Sequence, residues 1–138
     1  MGRILGIDYG ESRIGLAISD TNKSIAFPFK TIKNKNINFL LDSLKKLYSE
    51  KNIDSVVIGL PLGMNGKDTR QTKNVRIFSK SISILGLPIF FQDERLTSTS
   101  AKKSLIKQNI KTGHNKEKID EIAATIFLQQ FLDINKKI

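Results

Sequence analysis

The amino-acid sequence predicts an α/β fold in which helices cover both faces of one mixed β-sheet. Two strand-like runs joined by a short glycine-containing turn open the chain at 4–18, which predicts an antiparallel hairpin. Further along, short apolar runs alternate with stretches of helical periodicity, and strands joined by helices typically pair in parallel. Because the 138 residues contain no internal repeat or linker, we expect one domain spanning 1–138.

The first half of the chain supplies the hairpin, a third strand, a helix and a fourth strand. Residues 23–31 predict a third, shorter strand. Pro28 places it at an edge of the sheet or at a strand end, because proline lacks the N–H that a central strand donates. Residues 36–51 repeat leucines every three or four positions with lysines on the other side, which predicts an amphipathic helix. The β-branched run at 54–59 predicts a buried parallel strand.

The second half alternates helices with one further strand. Asp68 and Gln71 have the spacing of a capping box and predict the start of a helix, whose buried stripe is Val75, Phe78 and Ile82. The preceding "GMNGKDT" is not a phosphate-binding loop, because Asp68 stands where that motif has Ser or Thr. The other predicted elements are a loop at 60–67, a buried strand at 87–92, a helix through 101–106, a basic loop at 110–118 and a last helix at 117–132.

The composition narrows the class of protein and of partner. The chain carries 23 Lys and Arg against 13 Asp and Glu, a net charge of +10, which favours a polyanionic partner such as nucleic acid. Biased codon usage is the alternative source of this charge, since 18 of the cations are lysine. The chain has no cysteine, which excludes disulfides and thiolate metal sites. No apolar run reaches membrane-spanning length and no signal peptide is evident, so we expect a cytoplasmic protein with no membrane partner.

Two acidic residues follow predicted strands and are candidates for chemistry. Asp8 ends the first strand; it is either a turn aspartate that accepts backbone hydrogen bonds or a carboxylate held at the rim of the sheet. Glu94 follows the strand at 87–92, where the loops of open α/β sheets build binding sites. Its alternative role is electrostatic stabilisation of the following helix. Side-chain alternation leaves the choice between Glu94 and Asp93 to the register of the strand.

Asp120 is the third candidate and lies in the last predicted helix. It shares a helix face with Ala123, Ala124 and Phe127, and this face should pack on the sheet. A carboxylate there is costly unless it is paired, hydrogen-bonded or bound to a metal. The two alanines let the helix approach closely, which would bring Asp120 towards an acid at a strand end. The alternative is a solvated aspartate near the start of the helix.

Together the three carboxylates indicate the kind of metal. Oxygen ligands without thiolates, and with His114 as the single histidine, suit a hard cation, so we expect Mg²⁺ or Mn²⁺. Two such ions would clamp the attacking water and the leaving oxygen of a phosphodiester. Lys67, Arg70 and Arg95 lie in or after the loops that flank this rim. Each would neutralise phosphate of a bound nucleic acid, and each is otherwise an ordinary solvated cation.

Four motifs carry a family resemblance: "GIDYGESRIGLAISD", "VVIGLPLGMNGK", "DERLTS" and "KIDEIAA". Together they resemble the YqgF-like family of pre-16S ribosomal RNA nucleases, also called Holliday-junction-resolvase-like proteins, over nearly the whole chain. The resemblance implies a ribonuclease-H-like fold and a cytoplasmic, metal-dependent nuclease that trims the 5′ end of the small-subunit ribosomal RNA precursor. It also implies that Asp8, Glu94 and Asp120 are the catalytic and metal-binding acids. The sequence leaves a monomer and a homodimer equally open.

The chain departs from related resolvases at the fourth strand. Resolvases of this fold usually place their second acid at the end of that strand, where this chain has Gly59-Leu60-Pro61, so Glu94 must substitute from the next strand. Two other functions remain as alternatives: a non-catalytic nucleic-acid-binding ribosome-assembly factor, and a Holliday junction resolvase acting on DNA. The hairpin is also similar to the phosphate loop of the actin and sugar-kinase fold, but that fold needs two domains and this chain is too short for both.

Overall fold

The computed structural model describes residues 2–94 and 116–135 of the chain. Within these ranges a hairpin and a third strand come first, and helices then alternate with two further strands. In chain order the elements are β1 Arg3–Tyr9, β2 Arg13–Ser19, β3 Ala26–Lys33, α1 Ile37–Glu50, β4 Ile53–Leu60, α2 Arg70–Ile82 with a 3₁₀ turn at Ser83–Leu85, β5 Ile89–Asp93 and α3 Lys116–Asn135.

The strands form one mixed sheet, as the sequence predicts, and their order is β3-β2-β1-β4-β5. β2 runs antiparallel to β1 and β3, whereas β4 runs parallel to β1 and β5. Strands β1, β4 and β5 therefore all end at one edge of the sheet, at Tyr9, Leu60 and Asp93, which we call the carboxyl edge. β2 begins and β3 ends at this same edge, because Arg13 lies opposite Lys33.

Helices cover both faces of the sheet, so the predicted layer order is also confirmed. α1 and α2 pack on one face and α3 packs on the other. Alternation along the strands divides their side chains between the two layers: in β1, Leu5 and Ile7 face α1 and α2, whereas Ile4 faces α3. The smaller core under α3 consists of Ile4, Ala17, Val57, Ala124, Phe127, Leu128 and Leu132.

α1 forms where its periodicity predicts. Asn36 is the N-cap, and its side-chain oxygen accepts a hydrogen bond from the backbone N–H of Phe39 at 2.8 Å. Leu40, Leu44 and Leu47 form the buried stripe. β3 ends at the carboxyl edge, so α1 begins near that edge and runs along the sheet away from it. The buried stripe packs α1 against the sheet.

The start of α2 differs from the prediction. Thr69 is the N-cap, and the capping box pairs Thr69 with Thr72, not Asp68 with Gln71. The Thr72 hydroxyl is fully buried and donates to the carbonyl oxygen of Pro61 at 2.5 Å. Thr72 therefore satisfies the helix terminus and the preceding loop together, which an exposed Asp68 would not do.

The two edge strands also differ from their predictions. β3 has eight residues, Ala26–Lys33, so it begins and ends later than the predicted strand at 23–31, although it does lie at an edge as Pro28 predicts. β5 is predicted to be buried, but it is the edge strand on the side of the sheet away from β3, and its residues Phe90 and Phe91 are 45% and 39% exposed. The apolar content of a sequence run predicts that a strand forms, but it does not indicate whether that strand has one neighbour in the sheet or two.

The last helix is confirmed and is longer than predicted. α3 begins by Lys116, so the end of the predicted basic loop at 110–118 is helical, and it continues to Asn135. Ala123, Ala124 and Phe127 are buried against the sheet, as predicted. The predicted helix through 101–106 and the rest of that loop lie outside the described residues. Among the described helices, none has both the length and the apolar character to cross a membrane.

Candidate active site

Asp8 lies at the carboxyl edge, one residue before the end of β1, and its side chain faces α3. Two neighbours establish this direction. A Cβ added to Gly6 would lie 3.0 Å from Cβ of Leu128 in α3, and residues 6 and 8 of a strand share a face. Directly across the antiparallel pair, Asp8 lies opposite Gly15, and opposed residues also share a face. Asp8 is therefore half-buried under the N-terminal part of α3.

Gly15 lets α3 approach the sheet beside Asp8. A Cβ at position 15 would overlap the backbone carbonyl of Asp120 and would lie 2.7 Å from its Cβ. Only a residue without a side chain allows the helix backbone to rest directly on β2 at this point. Gly15 is also the cross-strand partner of Asp8, so this contact brings Asp120 next to Asp8.

The carboxylate of Asp120 is held by an ion pair with Arg13. Nε of Arg13 donates a hydrogen bond to Oδ2 of Asp120 at 3.0 Å, and the two side chains are 35% and 23% exposed. Arg13 is the first residue of β2, so this bond ties the sheet to α3 at the carboxyl edge. A carboxylate on the packed face of α3 needs a partner, and the partner of Asp120 is Arg13 of the hairpin.

Gly59 provides the space for the third acid on the other side of Asp8. Ile7 lies opposite Ile58 in the parallel pair, so the next residues, Asp8 and Gly59, are level with each other. A Cβ at position 59 would lie 2.8 Å from Oε1 of Glu94 and 2.7 Å from the ring of Phe127. The carboxylate that β4 lacks is therefore supplied at that place by Glu94.

The register of β5 distinguishes Glu94 from Asp93. Gln92 lies opposite Gly59, and its amide donates to the side-chain oxygen of Gln130 in α3 at 3.5 Å, so Gln92 faces α3. Side chains alternate along the strand, so Asp93 faces the α1 and α2 layer. The backbone N–H of Glu94 bonds to the carbonyl oxygen of Leu60 at 3.1 Å and fixes Glu94 at the end of β4. Glu94, and not Asp93, therefore lies on the same face of the sheet as Asp8.

The three predicted acids thus lie on one face of the sheet, with Asp8 between the other two. Across residues 2–94 and 116–135, no three His, Asp or Glu side chains are gathered closely enough to hold a metal ion. The donor set nevertheless has the chemistry of a Mg²⁺ or Mn²⁺ site, because all three groups are carboxylates. Gly15 and Gly59 also let Asp120 and Glu94 come close to the strands on either side of Asp8, because a side chain at either glycine would overlap them.

The predicted phosphate-binding cations lie at the same edge where they can be described. Lys67 is exposed in the connection between β4 and α2, and Arg70 is the exposed first residue of α2. Arg95 lies outside the described residues. Lys33 adds a further exposed cation, because it lies opposite Arg13 on the α3 face of the sheet.

Reasoning from the sequence did not find Arg13, Gly15 and Gly59. A signal was present for the glycines, because glycine inside a predicted strand often marks a place where another backbone or side chain comes close. No comparable signal exists for Arg13, since its partner Asp120 is 107 residues away in the sequence.

Comparison with known proteins supports the family resemblance. The family model described as RuvX, Holliday junction resolvase, matches residues 2–134. A protein of Roseiflexus sp. (strain RS-1) is 39% identical over 133 residues, which cover 96% of this chain and 94% of that protein. A protein of Caldanaerobacter subterraneus subsp. tengcongensis is 38% identical over 136 residues, covering 97% and 98%. Both proteins are named pre-16S rRNA nuclease.

Comparison with solved structures supports the predicted fold. RuvC of T. thermophilus, in complex with a Holliday junction substrate, matches with a TM-score of 0.63 and 12% identity, covering 99% of this chain and 96% of that chain. This likeness shows the ribonuclease-H-like fold of the resolvases and no more. Taken with the family match over almost its full length, the chain belongs to the RuvX family, which is the YqgF-like family that its four motifs resemble.

Proposed function

We propose that this protein is a metal-dependent nuclease that hydrolyses phosphodiester bonds in structured RNA and processes the 5′ end of pre-16S rRNA in the cytoplasm. The observation that carries the proposal is the placement of Asp8 between Gly15 and Gly59, with Asp120 and Glu94 brought to its two sides. Membership of the RuvX family supports a hydrolase, and the names of the relatives support pre-16S rRNA as the substrate.

Asp8, Glu94 and Asp120 would hold the metal, which we propose to be two ions of Mg²⁺ or Mn²⁺. Bound there, divalent ions polarise the phosphoryl oxygens and lower the pKa of water. The residues of the chain do the positioning: β1 fixes Asp8 at the sheet edge, and Arg13 orients the Asp120 carboxylate through its 3.0 Å hydrogen bond. A rigid mount of this kind suits a site that must hold its ligands within a narrow geometry.

The charge around the acids supports a polyanionic substrate. Lys33 of β3, Lys67 of the connection between β4 and α2, and Arg70 of α2 reach the carboxyl edge beside the Arg13–Asp120 pair, within a chain of net charge +10. Cations arranged around a set of acids would neutralise the phosphates that flank the bond to be cut. Nucleic acid is therefore the partner that this edge fits.

A Holliday junction resolvase is the second candidate, and one observation favours it. The missing acid at the end of β4 is the feature that argues against resolvase activity, yet the Glu94 carboxylate lies beside Gly59. The departure from the resolvases is therefore smaller in space than in sequence. The two functions are distinguished by which substrate is cleaved, the precursor RNA or the DNA junction.

The test is cleavage of two substrates under three metal conditions. A precursor RNA spanning the 5′ end of the small-subunit rRNA and a four-way DNA junction are each incubated with Mg²⁺, with Mn²⁺ and with EDTA. The proposal predicts cutting of the RNA that requires a metal. Metal-dependent cutting of the junction alone would support the resolvase, and binding without cutting in every condition would support a non-catalytic assembly factor.

A further inference from the structure

We propose that a cavity between the hairpin turn and α2 binds one nucleotide of the substrate RNA, with the base held beside Tyr9 and Asn74. The proposal rests on the proposed action on RNA and adds to it a site that reads a base. It concerns the face of the sheet opposite the acids.

The cavity opens at the carboxyl edge next to Asp8. Tyr9 follows Asp8 in β1, and successive side chains of a strand point to opposite faces, so Tyr9 faces α2. Its ring lies against Phe78 of α2, with the centroids 4.5 Å apart. α2 starts at Arg70, directly after the connection from β4, which ends at the same edge. An RNA chain that crosses the carboxyl edge at Asp8 therefore passes the mouth of this cavity.

The cavity has two adjoining parts, one polar and one mostly apolar, which share Tyr9 and Asn74. The polar part has a volume of about 500 Å³ and is lined by Tyr9, Glu11, Arg70, Gln71 and Asn74. The apolar part, about 220 Å³, extends between α1 and α2, and its apolar lining comes from Ile37, Leu40, Ile77 and Phe78.

The polar groups that line the polar part of the cavity have free hydrogen-bonding capacity. Among the described residues, no hydrogen bond or ion pair engages the side chains of Tyr9, Glu11, Arg70, Gln71 or Asn74. Tyr9 and Asn74 are held half-buried in the wall. A concave site with a few converging, unpaired polar groups and an apolar floor is the usual form of a small-ligand site.

This lining fits a nucleotide better than a polyphosphate or a purely apolar ligand. Unstacked RNA bases are recognised by aromatic rings and by hydrogen bonds to their edges, which Tyr9 and the amides of Gln71 and Asn74 supply. The Glu11 carboxylate can accept from an exocyclic amino group, whereas it would repel a second phosphate. Arg70 at the mouth suits the single phosphate of the nucleotide.

The experiment measures base preference without cleavage. The full chain in EDTA is titrated, by fluorescence anisotropy, into four single-stranded RNA hexamers: all-adenine, all-cytosine, all-uracil and fully abasic. We expect at least one base-containing hexamer to bind about tenfold or more tightly than the abasic one, as base stacking and edge contacts would give. Asn74→Ala and Gln71→Ala should each reduce this preference and leave the abasic affinity unchanged. Arg70→Gln should weaken all four by the same factor.

Ser79→Ala is the matched control, because it lies in α2 but outside the lining of the cavity. It should keep the wild-type preference, and urea unfolding of each variant checks that the fold is retained. Equal binding of abasic and base-containing hexamers by the wild type overturns the proposal, as does a preference that survives both Asn74→Ala and Gln71→Ala.

The outcome is separable from that of the nuclease proposal. Metal-dependent cleavage of precursor RNA without any base preference would refute the nucleotide cavity and leave the nuclease intact. A base preference lost in Asn74→Ala, together with no cleavage under any metal condition, would support the cavity in an RNA-binding module and refute the nuclease.

Discussion

Asp8 lies between two glycines of the neighbouring strands, and each glycine gives access to a different acid. At Gly15 the backbone of α3 rests on β2, which brings Asp120 to one side of Asp8. At Gly59 the missing side chain leaves room for the carboxylate of Glu94 on the other side. The candidate site therefore depends on two small residues as much as on three acids.

Replacing Gly15 by alanine should destabilise the protein by about 2 kcal/mol, because the added methyl group would overlap the backbone of Asp120. The sign is informative, since alanine in a strand with free space would instead stabilise slightly by restricting the unfolded chain. Urea unfolding measures the change.

Gly63→Ala is the control for this substitution. A Cβ there would lie 3.1 Å from its nearest neighbour, the side-chain oxygen of Asn65, which can shift where the backbone of Asp120 cannot. The midpoint of urea unfolding should therefore move much less than for Gly15→Ala. An unchanged or raised midpoint for Gly15→Ala would show that α3 does not rest on β2 as described.

At this scale the sequence predicts the three acids but not the contacts that place them. Asp8, Glu94 and Asp120 follow from strand ends and from one helix face. The Arg13–Asp120 ion pair joins residues 107 positions apart, so it depends on how α3 docks on β2 and on no local pattern. The choice of Glu94 over Asp93 likewise needs the register of β5 against β4.

Among the elements, α2 shows how a buried group overrides a surface pattern. Asp68 has the right spacing for a cap, but its carboxylate accepts two hydrogen bonds from Arg76, which lower its pKa. Thr72, fully buried, takes the capping role with Thr69 and also bonds to Pro61. The connection from β4 to α2, which carries Lys67 and leads to the mouth of the cavity, is thereby fixed at the carboxyl edge.

Thr72→Val should lower the free energy of unfolding by about 1–2 kcal/mol, because it keeps the volume but removes two hydrogen bonds of the Thr72 hydroxyl. One is accepted from the backbone N–H of Thr69 in the capping box, and the other is the short bond to the Pro61 carbonyl, which keeps only the longer bond from Thr69. Thermal or urea unfolding gives the value. Asp68→Ala is the comparison: its ion pair with Arg76 is exposed, so its loss should be smaller. A larger loss for Asp68→Ala would mean that α2 is capped by Asp68 after all.

The periodicity of the sequence predicts the helices and strands, but it does not predict which strands lie next to each other in the sheet. The amphipathic pattern of α1 and the apolar run of β4 give both elements to within a residue or two. β5 has a similarly apolar run, yet it lies at an edge with Phe90 and Phe91 exposed, because only the strand order determines which strand has one neighbour.

In the whole molecule, part of the net charge of +10 lies at one place, the carboxyl edge. Four cations reach the carboxyl edge where the acids lie: Arg13 of β2, Lys33 of β3, Lys67 of the connection between β4 and α2, and Arg70 of α2. A positively charged rim around an acidic centre suits a polyanion whose backbone is held at several points while one bond is cut.

RNA binding should therefore weaken steeply with salt. Arg13 is paired with Asp120. If the other three cations, Lys33, Lys67 and Arg70, each neutralise one phosphate, the logarithm of the affinity should fall with the logarithm of salt with a slope of about −2, roughly twentyfold between 50 and 200 mM. Anisotropy titrations in EDTA measure this slope. Lys67→Gln should make it shallower by about one, whereas Lys45→Gln, in the second half of α1, should leave it unchanged. Equal effects of the two substitutions would show that the charge acts without a preferred edge.

Cleavage should depend on the carboxylate of Asp8, and the Asp8→Asn variant provides the test. Cleavage of the precursor RNA in Mn²⁺ is compared for wild type, Asp8→Asn and the control Asp42→Asn, an exposed residue on the polar face of α1. We expect Asp8→Asn to fold normally and to lose at least about a hundredfold in rate, since even residues that only support metal ligands cost about 10–100-fold. Asp42→Asn should cut like wild type. Cleavage by folded Asp8→Asn at the wild-type rate would contradict the account.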